Sequence, residues 1–199
     1  NHKMKIRKRN KDKLDLAFNE SKINHIEVET NLVEILLDCI SMNSENEFPK
    51  DNRHKFIFKN FGRIVVSYRL GEWNDENAEI VKIENSELKS KFEGLKLNAM
   101  YGWEFINVGE KNFNDWKKKL SLDYVNKENW EKMNTFDLFA EQYGKNITID
   151  IRLWFKDFKV FDYFGKELKI KEFIKNGERG WNQLYKTGIT TENHKTEKY

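Results

Sequence analysis

Residues 147–164 constrain this chain more than any other stretch: two runs of alternating apolar residues flank Lys156-Asp157. Strand side chains alternate between faces with a period of two, so a two-residue turn at that point sets the register of both runs. Phe155 then faces Phe158, Leu153 faces Val160 and Ile151 faces Asp162 on the core side. The other side carries Asp150 beside Tyr163, Arg152 beside Phe161 and Trp154 beside Lys159, a mixture of rings and charges suited to contact with another surface.

Further hairpins follow from the same reading. Ile26 and Val28 alternate, Glu29-Thr30-Asn31 turns, and Val33, Ile35, Leu37 and Cys39 alternate again. Leu32, Val33, Leu36, Leu37 and Ile40 also fit a helical stripe, and the strand reading is favoured over it. A second hairpin is predicted over residues 55–70, with Asn60-Phe61-Gly62 as its turn and Gly62 free to take a positive φ. Residues 79–83, 95–100 and 103–108 read as strands, the last two joined at Tyr101-Gly102. Trp116, Lys118, Leu120, Leu122 and Tyr124 alternate as a strand does, while Asn114 or Asp115 would suit the cap of a helix.

After residue 168 the period changes. Ile170, Phe173 and Ile174 have helical spacing and stop at Asn176-Gly177, and Trp181, Leu184 and Tyr185 repeat the pattern before Gly188. The expectation is therefore an α+β fold, mainly an antiparallel sheet built as a curved or two-layered meander of hairpins, with two short C-terminal helices. Residues 1–24 read as a basic, loosely ordered arm in which Leu14, Leu16 and Phe18 form a short edge strand. Residues 25–188 read as a single β-rich globular domain, and 189–199 as a polar tail.

Charge is divided unevenly. The 199 residues carry a formal +3, yet residues 1–13 hold seven basic side chains against Asp12 alone, which leaves the rest at −3. A basic arm on a slightly acidic body argues against a basic nucleic-acid-binding domain and keeps nucleic acid only as a partner of the arm. One cysteine, Cys39, rules out an intramolecular disulfide. No apolar run reaches the length of a membrane span and no apolar segment follows the basic N-terminus as in a signal peptide, so a cytoplasmic protein, bacterial in style, is expected.

Most catalytic chemistry lacks its sequence pattern. The 10 glycines form neither a P-loop nor a dinucleotide-binding turn, and four histidines with one cysteine give no zinc spacing. No serine sits in a nucleophile elbow, and Cys39 lies among hydrophobes that raise a thiol pKa. Asp150, Asp157, Asp162 and Glu104 keep a carboxylate-dependent hydrolase open as an alternative. No cofactor is expected. Arginine, tryptophan and tyrosine concentrate binding energy at protein interfaces, which makes Arg69, Trp73, Asp150, Arg152, Trp154, Phe161 and Tyr163 the candidate partner-binding residues. The leading expectation is a non-enzymatic protein-binding domain, of the immunity or antitoxin type that masks a toxin or enzyme.

Overall fold

The computed structural model describes residues 4–142 and 144–188. Its fold is mixed α+β, dominated by two antiparallel sheets that face each other. In chain order the elements are α1 (Lys8–Phe18), β1 (Lys22–Glu29), β2 (Leu32–Asp38), β3 (Arg53–Lys59), β4 (Arg63–Leu70), β5 (Glu79–Ile80), α2 (Leu88–Phe92), α3 (Glu110–Trp116), β6 (Leu122–Val125), β7 (Asn134–Gln142), β8 (Ile147–Phe155), β9 (Lys159–Asp162), β10 (Glu167–Leu168) and α4 (Ile170–Thr187). The first sheet runs β1-β2-β3-β9-β10 and the second β5-β4-β8-β7, with β6 also paired to β4.

The β1–β2 hairpin forms as expected, with Val28 opposite Val33 and Glu29 opposite Leu32. The hairpins predicted over residues 55–70 and 147–164 do not. β3 pairs with β2 and β9, whereas β4 pairs with β8, β5 and β6. Residues 60–62 therefore carry the chain from one sheet to the other. Asn60, not Gly62, takes the positive φ there, at 54°. Gly62 is needed for closeness, because a Cβ on it would lie 2.7 Å from Trp130 Cβ.

Lys156-Asp157 is likewise a corner between sheets. β8 is flanked on both sides, by β4 and by β7, so no edge remains for β9, which joins β3 and β10 in the first sheet. Phe155 and Phe158 still meet, with ring centroids 5.6 Å apart. Asp162 does not face Ile151; it lies opposite His54 and accepts the Lys166 backbone N–H at 2.8 Å.

β7 was not anticipated, although Phe136, Leu138 and Ala140 alternate into the core. The strands expected over 95–100 and 103–108 are instead irregular chain laid along the outer edge of β7, joined to it by Asn98 N–H to Glu141 O and Asn107 N–H to Thr135 O. Where a strand was expected from Trp116, α3 ends at Trp116 and β6 begins only at Leu122.

Residues 8–18, read as arm and edge strand, form α1, because Leu14, Ala17 and Phe18 at spacings of three and four make one buried helical stripe. Two C-terminal helices were expected, and one long one, α4, is present. Gly177 and Gly180 do not end it. They bring it close to its neighbours, since a Cβ on Gly180 would stand 2.9 Å from Ser41 Cα. The helix ends at Gly188, whose φ of 68° is the left-handed conformation glycine tolerates. The anticipated polar tail lies outside the described residues.

Between the sheets and helices sits a core of rings. Phe18 of α1 lies 4.6 Å from Phe136 and 5.5 Å from Phe173 of α4, while Phe58 of the first sheet lies 5.2 Å from Phe155 of the second. Each such ring removes about 150–250 Å² from water, and truncating one to alanine costs about 3–5 kcal/mol. Among the described residues, no helix is long and apolar enough to cross a membrane.

Candidate binding cleft

The outer face of the second sheet carries the polar groups. Alternation in β7 sends Asp137, Phe139 and Glu141 outward. β8 sends Thr148, Asp150, Arg152 and Trp154 to the same side, and β4 adds Val65, Ser67 and Arg69. The register sets Asp137 opposite Arg152, Phe139 opposite Asp150 and Glu141 opposite Thr148, and on the β4 side Arg69 opposite Thr148.

α3 covers one half of this face. Phe113 and Trp116, one turn apart, pack with Val65, Met133 and Trp154 into a small second core. Trp154 is 3% exposed and has the Arg63 guanidinium 5.2 Å and the Arg152 guanidinium 5.8 Å from its ring centre. The Arg152 side chain has no exposure at all. Its Nε donates to Asp137 Oδ1 at 2.8 Å, its Nη2 to Asp137 Oδ2 at 2.7 Å and to Val108 O at 3.2 Å, and its Nη1 to Glu110 Oε1 at 2.9 Å. Burial pushes the Asp137 carboxyl up to about 6 against the opposing pull of Arg152.

The other half of the face lies open as a cleft of about 670 Å³. Arg69, Asp137 and Asp150 form its floor, with Trp116 and Lys119 among the side chains lining it. Arg69 is 3% exposed and donates from Nη2 to Asp150 Oδ2. Burial, helped by the neighbouring charges of Asp137 and Glu141 and opposed by Arg69, pushes the Asp150 carboxyl up to about 7. Above this charged floor stand three exposed rings: Trp73 at 62%, Tyr101 at 55% and Trp103 at 89% exposure.

α1 positions two of those rings. Asp15, buried on α1, accepts the backbone N–H groups of Phe105 at 2.8 Å and Ile106 at 2.9 Å, and the Glu20 N–H donates to Met100 O at 2.7 Å. Lys11 bridges Asp15 and Glu104, each at 2.8 Å, and Lys13 pairs with Glu178 of α4. Part of the N-terminal charge is thus committed to the body. Trp73 stands in the loop after β4.

Of the seven candidates, the structure brings Arg69, Trp73 and Asp150 into the cleft and sets Arg152 beneath it. Trp154 shares the face but is sealed under α3. Phe161 and Tyr163 are elsewhere: Phe161 lies opposite Lys55 in the first sheet, and the Arg53 guanidinium sits 4.1 Å from the centre of the Tyr163 ring. β9 joining the other sheet separates them from Asp150 and Arg152. The sequence reading missed Tyr101, Trp103, Asp137 and Glu141. The alternation through β7 carried a signal for the two acids. Tyr101 and Trp103 lie in irregular chain, which has no period to read.

Two further reactive side chains, Cys39 and His54, are buried. Burial pushes the Cys39 thiol up to about 12, and lowers the pKa of His54, whose Nδ1 is bonded to Asn52 O at 2.7 Å. Among the described residues, no group of three or more His, Cys, Asp and Glu side chains could hold a metal ion. No family model, curated protein or solved structure matches the chain.

Proposed function

We propose that the chain is a non-enzymatic protein-binding domain, and that the cleft on the second sheet receives a projecting segment of its partner. Masking a toxin or enzyme, as immunity proteins and antitoxins do in the bacterial cytoplasm, is the concrete form of this reading. The observation that carries it is the arrangement of three exposed rings, Trp73, Tyr101 and Trp103, over a floor whose partly buried carboxylates pair with arginines. Such rings supply contact area at small entropic cost, and tryptophan, tyrosine and arginine dominate measured interface energies. Both Asp137 oxygens accept from Arg152. Asp137 is therefore not free to exchange protons with a substrate or water, as turnover by a pair of carboxylates would require, whereas Arg69 bonds Asp150 through one oxygen only.

The test is capture by the tagged full chain from a lysate of the source organism, with and without nuclease, alongside Trp73→Ala and Trp103→Ala variants. A protein retained after nuclease and lost from both variants supports the reading, and the purified complex should weaken by about 2 kcal/mol or more per substitution. Recovery that collapses with nuclease, or a partner held equally well by both variants, would overturn it.

A further inference from the structure

Residues 5–18 and 170–187, which contain α1 and α4, carry ten basic side chains against four acidic, so the formal +3 of the whole chain leaves −3 for the remainder. The positive charge belongs to this helical layer. α1 and α4 lie side by side and run in opposite directions, with Lys13 paired to Glu178 and Phe18 5.5 Å from Phe173. A groove of about 470 Å³ beside their contact is lined by Leu16, Lys175, Glu178, Arg179 and Asn182, none of which lines the cleft.

Helical spacing sets out the charges along this groove. Lys171, Lys175 and Arg179 follow one another at intervals of four, about 6 Å apart along the axis, and Lys186 continues the stripe. On α1, Lys8 and Arg9 stand two turns before Leu16 and on its side of the helix. Glu178 is taken up by Lys13, and Arg179 donates to the neutral Asn176 Oδ1 at 2.9 Å. None of Lys8, Arg9, Lys171 and Lys175 forms an ion pair with another described residue.

These placements work against the fold. Like charges four residues apart on a helix repel, and Lys8 and Arg9 stand at the positive end of α1, whose first turn holds no acidic side chain. Charge kept at a cost to stability points to something outside the chain. Both helices turn their apolar stripes into the core, so none is left to enter a membrane. No aromatic ring lines the groove, which leaves it without the anchors of a protein interface or the platforms on which single-stranded bases stack. A regular row of cations remains. From Lys171 to Lys186 it is about 22 Å long, the axial rise of about six phosphates on one strand of a duplex.

We propose that the α1–α4 face binds the phosphodiester backbone of a nucleic-acid duplex, with Lys171, Lys175 and Arg179 on one side of the groove and Lys8 and Arg9 on the other. Contacts of this kind read no base sequence. The face is separate from the cleft and does not depend on what the cleft holds.

Fluorescence anisotropy of labelled duplexes of about 24 base pairs, as DNA and as RNA, titrated with the full chain in about 50 to 200 mM salt, tests the face without any protein partner. At least one duplex type should bind, alike for two unrelated sequences, and lose affinity on the order of hundredfold across that salt range. Lys171→Gln/Lys175→Gln should weaken binding about tenfold or more at low salt and flatten the logarithmic salt slope by about 2. Arg179→Gln/Lys186→Gln gives the same readout should the first variant fail to fold. Lys117→Gln/Lys118→Gln, exposed after α3, should leave binding nearly unchanged and separates this face from net charge alone. No saturable binding up to about 100 µM chain at low salt, or an equal loss in the Lys117/Lys118 variant, would overturn the assignment. Polyglutamate or anionic phospholipid vesicles bound as tightly as the duplexes would overturn it too.

Discussion

Gly177 of α4 lies so close to Ala17 of α1 that a Cβ on the glycine would stand 2.8 Å from the alanine Cβ and 3.1 Å from its Cα. Gly177→Ala would gain about 1 kcal/mol of helix propensity. It would also force two helices apart against a packed core, at about 1–3 kcal/mol. Since the obstacle is partly backbone, the second effect wins. Urea unfolding of the variant should show a net loss of up to about 2 kcal/mol.

Arg152 is central to stability. Replacing it with methionine leaves Asp137 buried with no cation, a situation that costs about 3–5 kcal/mol. Arg152→Met should therefore unfold at much lower denaturant, and the double variant Arg152→Met/Asp137→Leu should recover most of the difference. A loss in the double variant as large as in the single one would show that the pair is not the cause.

Asp137 and Asp150 make stability depend on pH with a definite sign. Their folded pKa values, about 6 and about 7, lie above the unfolded value of about 3.9, so the folded state binds more protons across that interval. The stability each contributes is fully present below about pH 4 and is lost as pH rises through about 6 and about 7 respectively. Asp150→Asn removes its share of the slope. Between pH 5 and pH 8 the denaturation midpoint of the variant should fall less than that of the wild-type chain.

Trp103 and Trp154 separate exposure from burial around the same sheet. Trp103→Ala, at 89% exposure, should change stability by no more than about 0.5 kcal/mol while weakening partner binding. Trp154→Ala, at 3% exposure, should cost about 3–5 kcal/mol. Thermal melts of the two variants decide the matter directly.

Asp15 does not line the cleft, yet it fixes the segment that carries the rim. Asp15→Ala would leave the N–H groups of Phe105 and Ile106 buried without an acceptor, at about 1–3 kcal/mol each. Hydrogen exchange at Phe105 and Ile106 should speed up, and partner affinity should drop along with it. Removal of the N-terminal residues would have the same effect, so loss of binding on truncation would not by itself indicate nucleic acid.

Period-two alternation made most strands visible, because each lays one face on a ring-filled core; Val33, Ile35 and Leu37 in β2 are the clear case. Alternation says which residues share a face but nothing about which strand lies alongside. For that reason Asp150, Arg152 and Trp154 were placed together correctly, while Phe161 and Tyr163 were assigned to their side in error. Glycine carried a second ambiguity. Gly177 reads as a helix end by its freedom, but it sits mid-helix for its small size. Trp73 was found because tryptophan concentrates binding energy at interfaces, whereas Tyr101 and Trp103 depend on α1, whose own stripe was hidden by the coincidental alternation of Leu14, Leu16 and Phe18.

The two corners at residues 60–62 and 156–157 have a consequence for how the chain is made. β4 cannot acquire its central partner until β8 has been synthesised, and β3 must wait for β9, so both sheets stay unfinished until residues 147–162 are available. At about 5–20 residues per second, β4 spends several seconds on the ribosome with an edge unpaired and its apolar face uncovered. Folding is consequently a late event that couples both halves of the molecule, slow by virtue of its long-range pairings, and during that interval the unpaired edge of β4 is open to pairing with other chains.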